Sequence, residues 1–167
     1  QEFGIAYSIF VSQNYGAEKK ERIKAGTRNA IVIVLAFCLL VSAAVFLLAR
    51  QLMGIFIDPW ETQILDIGAG YLRIEGACYC GIGILFLLYG YFRAVERPEI
   101  SLLLTIISLG TSVALAYAFA PALGVGAIWW AIPIGWLLPD AVGLVFYRLR
   151  ERRRLEQLAI EKKTVPA

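Results

Sequence analysis

The sequence predicts an all-α integral membrane protein with four transmembrane helices and the end of a fifth. Three observations carry that reading. Hydrophobic residues make up 59% of the 167 residues, against roughly 45–50% in soluble domains on a comparable count. The excess is gathered into uncharged blocks. The blocks also match a bilayer, whose hydrocarbon core of about 30 Å takes about 20 mostly apolar residues as helix.

The elements follow in order. The opening "EFGIAYSIFVS" is too short to span, so residues 1–12 are expected to be the last turns of a helix that begins outside the chain. The polar stretch "SQNYGAEKKERIKAGTRNA" predicts a loop over 13–28. Ala30 to Ala49 is twenty residues without a charge, predicting a span at 29–50. Gly76 to Phe92 is seventeen uncharged residues and lengthens upstream past Arg73 and Glu75, predicting a span at 68–92. Ile100 to Pro139 is forty uncharged residues, about 60 Å as helix and so two crossings. The break falls at "PALGVG", Pro121 to Gly126, where proline and glycine punctuate a helix. The last two spans are therefore 99–120 and 126–147. Pro98 suits a first helical turn, where its missing N–H costs nothing.

Two simpler classes are excluded. A signal peptide is one short N-terminal apolar segment, and these segments are long and repeated. A soluble core helix keeps a polar face, whereas Ile31 to Leu48 is apolar all round. Cys38, Cys78 and Cys80 all fall inside spans, and the chain has no histidine, so buried packing is their expected role rather than a metal framework.

Orientation follows from counting basic residues in alternate connections. The segments before the first span, between the second and third, and after the fourth hold 14 Lys and Arg, and the other connections hold only Arg50 and Arg73. This places 13–28, 93–98 and the tail 148–167 in the cytoplasm of a multi-pass protein of the plasma (inner) membrane. The tail "RLRERRRLEQLAIEKK" can continue as a headgroup-level helix, with Leu155, Leu158 and Ile160 toward lipid. A solvated topological anchor explains its charge better than a nucleic-acid site.

No enzyme constellation is visible: there is no Gly-rich phosphate loop after a strand and no carboxylate pair on one helix face. The informative residues are charges inside spans, which are expensive and usually functional. Asp140 lies eight residues from Arg148, about 12 Å along a helix, beside Pro139 and Pro133 in a helix expected to kink. It is a candidate site for ion or proton coupling, with a hydrogen bond to a neighbouring helix as the plainer role. Glu75 lies eighteen residues from Arg93, about 27 Å along a straight helix. That predicts a rim residue or inter-helix hydrogen bond before a second coupling site. Arg73, two residues away, does not share its face.

The second span is glycine-rich, with Ala77 and Gly81 at small-xxx-small spacing. Close helix approach explains this, and a helix softened for bending during transport is the sharper alternative. Tyr79, Phe86 and Tyr89 share a face at i, i+7 and i+10. Together with Tyr117 and Trp136 they form a candidate aromatic substrate cleft, since ring faces attract organic cations. Trp129 and Trp130 open a span and read more simply as an interfacial belt.

With these elements placed, the chain resembles the C-terminal part of a multidrug and toxic compound extrusion (MATE) transporter, from the end of helix eight through helix twelve. The resemblance rests on the turn "QNYGAEKKER" with Gln13, Asn14, Gly16, Ala17 and Arg22, then on Tyr71, Leu72, Arg73 and Ile74 at the start of the tenth helix. Gly90 and Arg93 at its close and "GVGAIWWA" leading into the twelfth complete it. It implies part of one six-helix lobe of a twelve-helix antiporter, which expels cationic or amphipathic compounds as sodium ions or protons enter. Its partners would be the lipid bilayer, the N-terminal lobe and small organic cations, with no nucleic acid, no cofactor beyond the coupling Na+ or H+, and no enzymatic activity. One departure is that some members carry an acidic residue midway along the tenth helix, and Cys80 to Leu85 holds none. This leaves the N-terminal lobe as the alternative home of the main coupling carboxylate. Two other readings are a flippase for lipid-linked sugars or another amphiphile, and a four-helix membrane scaffold that transports nothing. The near absence of Lys and Arg from the spans weighs against the flippase.

Overall fold

The computed structural model describes residues 1–164, with side chains through Arg150. Six helices follow one another: α1 (Glu2–Gly16), α2 (Lys20–Met53), α3 (Thr62–Ala77), α4 (Tyr79–Ala94), α5 (Pro98–Leu123) and α6 (Val125–Thr164). Among the described residues there is no strand. Three helices, α2, α5 and α6, are long and apolar enough to cross a membrane. Helices α3 and α4 are long and apolar enough for a further crossing only when taken together, and they are bent by 49° where they meet.

The first turn is tighter than the sequence predicts. Helix α1 runs to Gly16 and α2 already begins at Lys20, so most of the loop expected over 13–28 is helix. Lys, Glu, Arg and Ala are among the best helix formers, and charge there marks the end of the membrane rather than the end of the helix. At 1.5 Å per residue α2 is about 51 Å long, well beyond a bilayer core. The turn itself is Ala17 to Lys19, not Gly16. Glu18 takes the left-handed conformation (φ 54°), while its N–H bonds the Tyr15 carbonyl and the Lys19 N–H bonds the Asn14 carbonyl. The α4–α5 turn repeats the device, with Glu96 at φ 60° and N–H bonds from Glu96 to Arg93 and from Arg97 to Phe92. This is the Schellman closure of a helix end, built on glutamate where glycine is usual.

The α5–α6 connection is different. Gly124, at φ 69° and ψ −157°, occupies a region essentially closed to residues with a side chain. Expected kinks at Pro133 and Pro139 do not divide the last span, since α6 continues through both. Both prolines are buried, and the long α5 interface steadies the helix, with Gly135 close against Ser108 and Ser112. The helix also persists through the tail to Thr164; the side chains of Leu155, Leu158 and Ile160 lie outside the described residues.

Helix α4 is the centre of the bundle, touching α1, α2, α5 and α6. Its inward residues Leu85, Leu88, Tyr91 and Phe92 form the core with Tyr7, Val11, Val34 and Leu104. Glycine permits the closest approaches. A Cβ on Gly4 would stand 2.6 Å from the Phe86 carbonyl oxygen, and one on Gly90 would overlap the Gly4 carbonyl oxygen. By contrast α2 exposes Val32, Leu39, Leu40 and Leu47, a surface suited to lipid or to another part of a larger protein.

Candidate functional site

The bent span and α6 together hold the unusual chemistry. The break falls at Cys78 (φ −105°, ψ 8°), where the ladder switches to three-residue bonds from the Cys78 N–H to Glu75 and from the Gly81 N–H to Cys78. Such a local tightening redirects a helix. Two buried carboxylates bracket the break: Glu75 on the α3 side, and Asp140 of α6, which packs against Gly81 on the α4 side.

Asp140 is 9% exposed, and its Oδ1 has no hydrogen-bond partner among the described residues. Its Oδ2 lies 3.8 Å from where a Gly81 Cβ would stand, with the Trp136 Cβ at 3.6 Å. Gly81 therefore leaves open the space into which the carboxylate faces. The Tyr89 hydroxyl is within electrostatic reach of the same carboxylate and of Thr105 of α5. Of the expected cleft, Trp136 and Tyr89 thus gather around Asp140. Phe86 adjoins Tyr89, with ring centroids 6.1 Å apart in an edge-to-face pair. Tyr79 packs against the core as a separate, half-buried ring.

Tyr117 does not join them. It is 81% exposed on the outer part of α5, because α5 buries only the face through Leu104 and Ser108. Trp129 pairs instead with Tyr71 of α3, centroids 5.9 Å apart, and Trp130 is 52% exposed, as an interfacial position allows.

Glu75 is buried inside the bundle. It is 7% exposed, and its Oε1 has no partner among the described residues. The straight-helix count sets its depth near the outer interface; the structure adds that its side chain is enclosed between helices, close to the 49° bend. Arg73 does point elsewhere, donating from Nε to the Phe46 carbonyl at 3.4 Å with its guanidinium 5.8 Å above the Phe46 ring. Two unpaired carboxylates in one apolar bundle are costly, and a bound proton or cation relieves that cost.

The "QNYGAEKKER" residues make no comparable site. Gln13, Gly16, Ala17 and Arg22 are exposed, and Asn14 is buried and donates from Nδ2 to the Phe10 carbonyl at 2.8 Å. They finish α1 and begin the next helix. Sequence reasoning missed Thr105, whose only signal was a hydroxyl in an uncharged span. It noted Gly81 for packing but not for the carboxylate opposite.

Comparison with known proteins agrees with this architecture. A solved structure described as the inward-facing conformation of a multidrug resistance MATE family transporter of the MOP superfamily superposes with a TM-score of 0.80. The alignment covers 98% of this chain and 36% of that one, at 24% identity. The chain thus spans little more than a third of that transporter's length. No curated protein sequence matches the chain significantly. The MatE family profile matches residues 2–118, well over half of the sequence, and this protein belongs to the MatE family.

Proposed function

We propose that this chain is the C-terminal part of a secondary active multidrug efflux antiporter, exporting cationic or amphipathic compounds in exchange for Na+ or H+. Family membership and the multi-pass fold are the frame. The observation that carries the mechanism is the buried Asp140 carboxylate, unpartnered at Oδ1 and facing the gap over Gly81. A carboxylate kept without a partner in an apolar bundle costs stability, and such a cost is retained where the charge is used.

In this reading an inward-moving ion occupies the Asp140 carboxylate, and occupancy alters packing between α6 and the bent α3–α4 span. Trp136, Tyr89 and Phe86 supply aromatic surface beside that position, suited to an organic cation. Each ion entering down 100 mV contributes about 2.3 kcal/mol from the potential alone. Glu75 is the second candidate, across the bend. The basic ends of α2, α4 and α6 lie in the cytoplasm by the positive-inside rule.

The test is efflux of a fluorescent organic cation by the whole transporter, with the sodium gradient and then the proton gradient collapsed. Asp140→Asn should abolish the dependence on whichever gradient drives transport. Unchanged efflux and unchanged ion dependence in that variant would remove Asp140 from the mechanism.

A further inference from the structure

Away from this site, an open groove of about 490 Å³ lies between the charged start of α2 and Tyr147 of α6. It exists because α2 and α6 both pack on α4 while, among the described residues, their backbones stay apart. Its charged lining is Glu21, Lys24 and Arg28, one stripe of α2, and the stripe continues as Ile31 and Val32. The uncharged run begins at Ala30, so the groove crosses from the headgroup zone into hydrocarbon.

The charges fall in a definite order along α2: carboxylate first, then two cations, then an apolar wall. Among the described residues none of the three forms an ion pair. Thr27, also in the lining, has its one hydrogen already committed and can donate nothing to a ligand. Its hydroxyl donates to the Ile23 carbonyl at 2.7 Å and accepts from the Tyr7 hydroxyl at 2.6 Å.

We propose that this groove binds a phospholipid bearing a primary ammonium, phosphatidylethanolamine, in the leaflet at the basic end. Reading inward, that lipid presents ammonium, phosphate and acyl chain, the complement of Glu21, Lys24 with Arg28, and Ile31 with Val32. The spacing agrees: Glu21 and Lys24 are separated by about 4.5 Å of helix rise, comparable to the two-carbon bridge between ammonium and phosphate. Glu21 sets the selectivity. It accepts charge-assisted hydrogen bonds from a primary ammonium, which a quaternary choline cannot donate, and it repels a headgroup that carries only negative charge. The proposal rests on the membrane reading of the fold and not on the transported cargo.

The measurement is native mass spectrometry of the whole transporter in detergent, titrated with dioleoyl phosphatidylethanolamine, phosphatidylcholine and phosphatidylglycerol. The ethanolamine lipid should be retained about fivefold over either competitor, the scale of an exposed ion pair. Glu21→Gln should erase that preference while leaving phospholipid binding in place. Lys24→Gln with Arg28→Gln should reduce retention of all three lipids. The three side chains are exposed, so an unchanged melting temperature shows that each variant is folded. Equal retention of the ethanolamine and choline lipids, tighter binding of phosphatidylglycerol, or a preference untouched by Glu21→Gln would overturn the proposal. Loss of efflux with lipid selectivity intact would count against the transport reading alone.

Discussion

The basic end of the bundle and its middle treat polar groups in opposite ways. At the basic end the best-buried polar side chains among the described residues have partners. Tyr7 bonds Thr27, Asn14 bonds the Phe10 carbonyl, and Arg150 donates to the Tyr15 hydroxyl at 3.1 Å with its guanidinium 5.6 Å above that ring. In the middle, Ser42 Oγ, Glu75 Oε1 and Asp140 Oδ1 are buried without one. The first pattern is what stability asks for, since an unmade buried hydrogen bond costs about 1–3 kcal/mol. Two acids kept unpaired where partners are most needed mark the region whose chemistry is not spent on holding the helices together.

Mutations test that contrast, beginning with the contact that ties the two regions. Gly90→Val should have the largest effect, about 3 kcal/mol or more, because the new side chain meets the Gly4 backbone and overpacking has no flexible neighbour to absorb it. Thermal unfolding in detergent should fall steeply; an unchanged midpoint would mean that α1 does not pack on α4 as described.

Next in size, Asp140→Leu should raise stability by about 2 kcal/mol, since it removes an unpartnered buried carboxylate. Transport should be lost in the same variant. A lower melting temperature would show that the acid is structural, and the contrast between the regions would then collapse.

At the basic end the signs reverse. Tyr7→Phe should destabilise by about 1 kcal/mol, the net worth of one hydrogen bond, through loss of the 2.6 Å bond to Thr27. Smallest of all, Arg150→Gln should cost about 0.5 kcal/mol, the value of a half-exposed cation over a ring, with efflux retained. Chemical denaturation in detergent resolves the first. The second needs a paired comparison with Tyr15→Leu, which removes both ring and hydroxyl, and additivity of the two would show that Arg150 and Tyr15 do not interact.

Much of the architecture was legible in the sequence because hydrocarbon imposes a simple rule. A stretch such as Ala30 to Ala49, with no charge and only Cys38 and Ser42 to soften it, has few alternatives to a membrane helix. The segment before it was misread because polarity was taken for irregularity. Lys20 to Arg28 is charged and helical at once, since helix propensity and membrane depth depend on different properties of a side chain. Aromatic spacing placed Phe86 and Tyr89 together correctly, yet Tyr117 belongs to a helix whose rotation was not readable.

By itself the sequence determined the membrane class and the basic end, because these depend on composition along the chain, while its short motifs carried the resemblance to the family that its profile now shows. Only the tertiary structure decided that the second crossing breaks at Cys78, that Glu75 turns inward, and that Gly81 faces Asp140. Those outcomes depend on which helix faces meet. An apolar helix such as α2, buried on no polar side, carries no periodic signal to say which face is in and which is out.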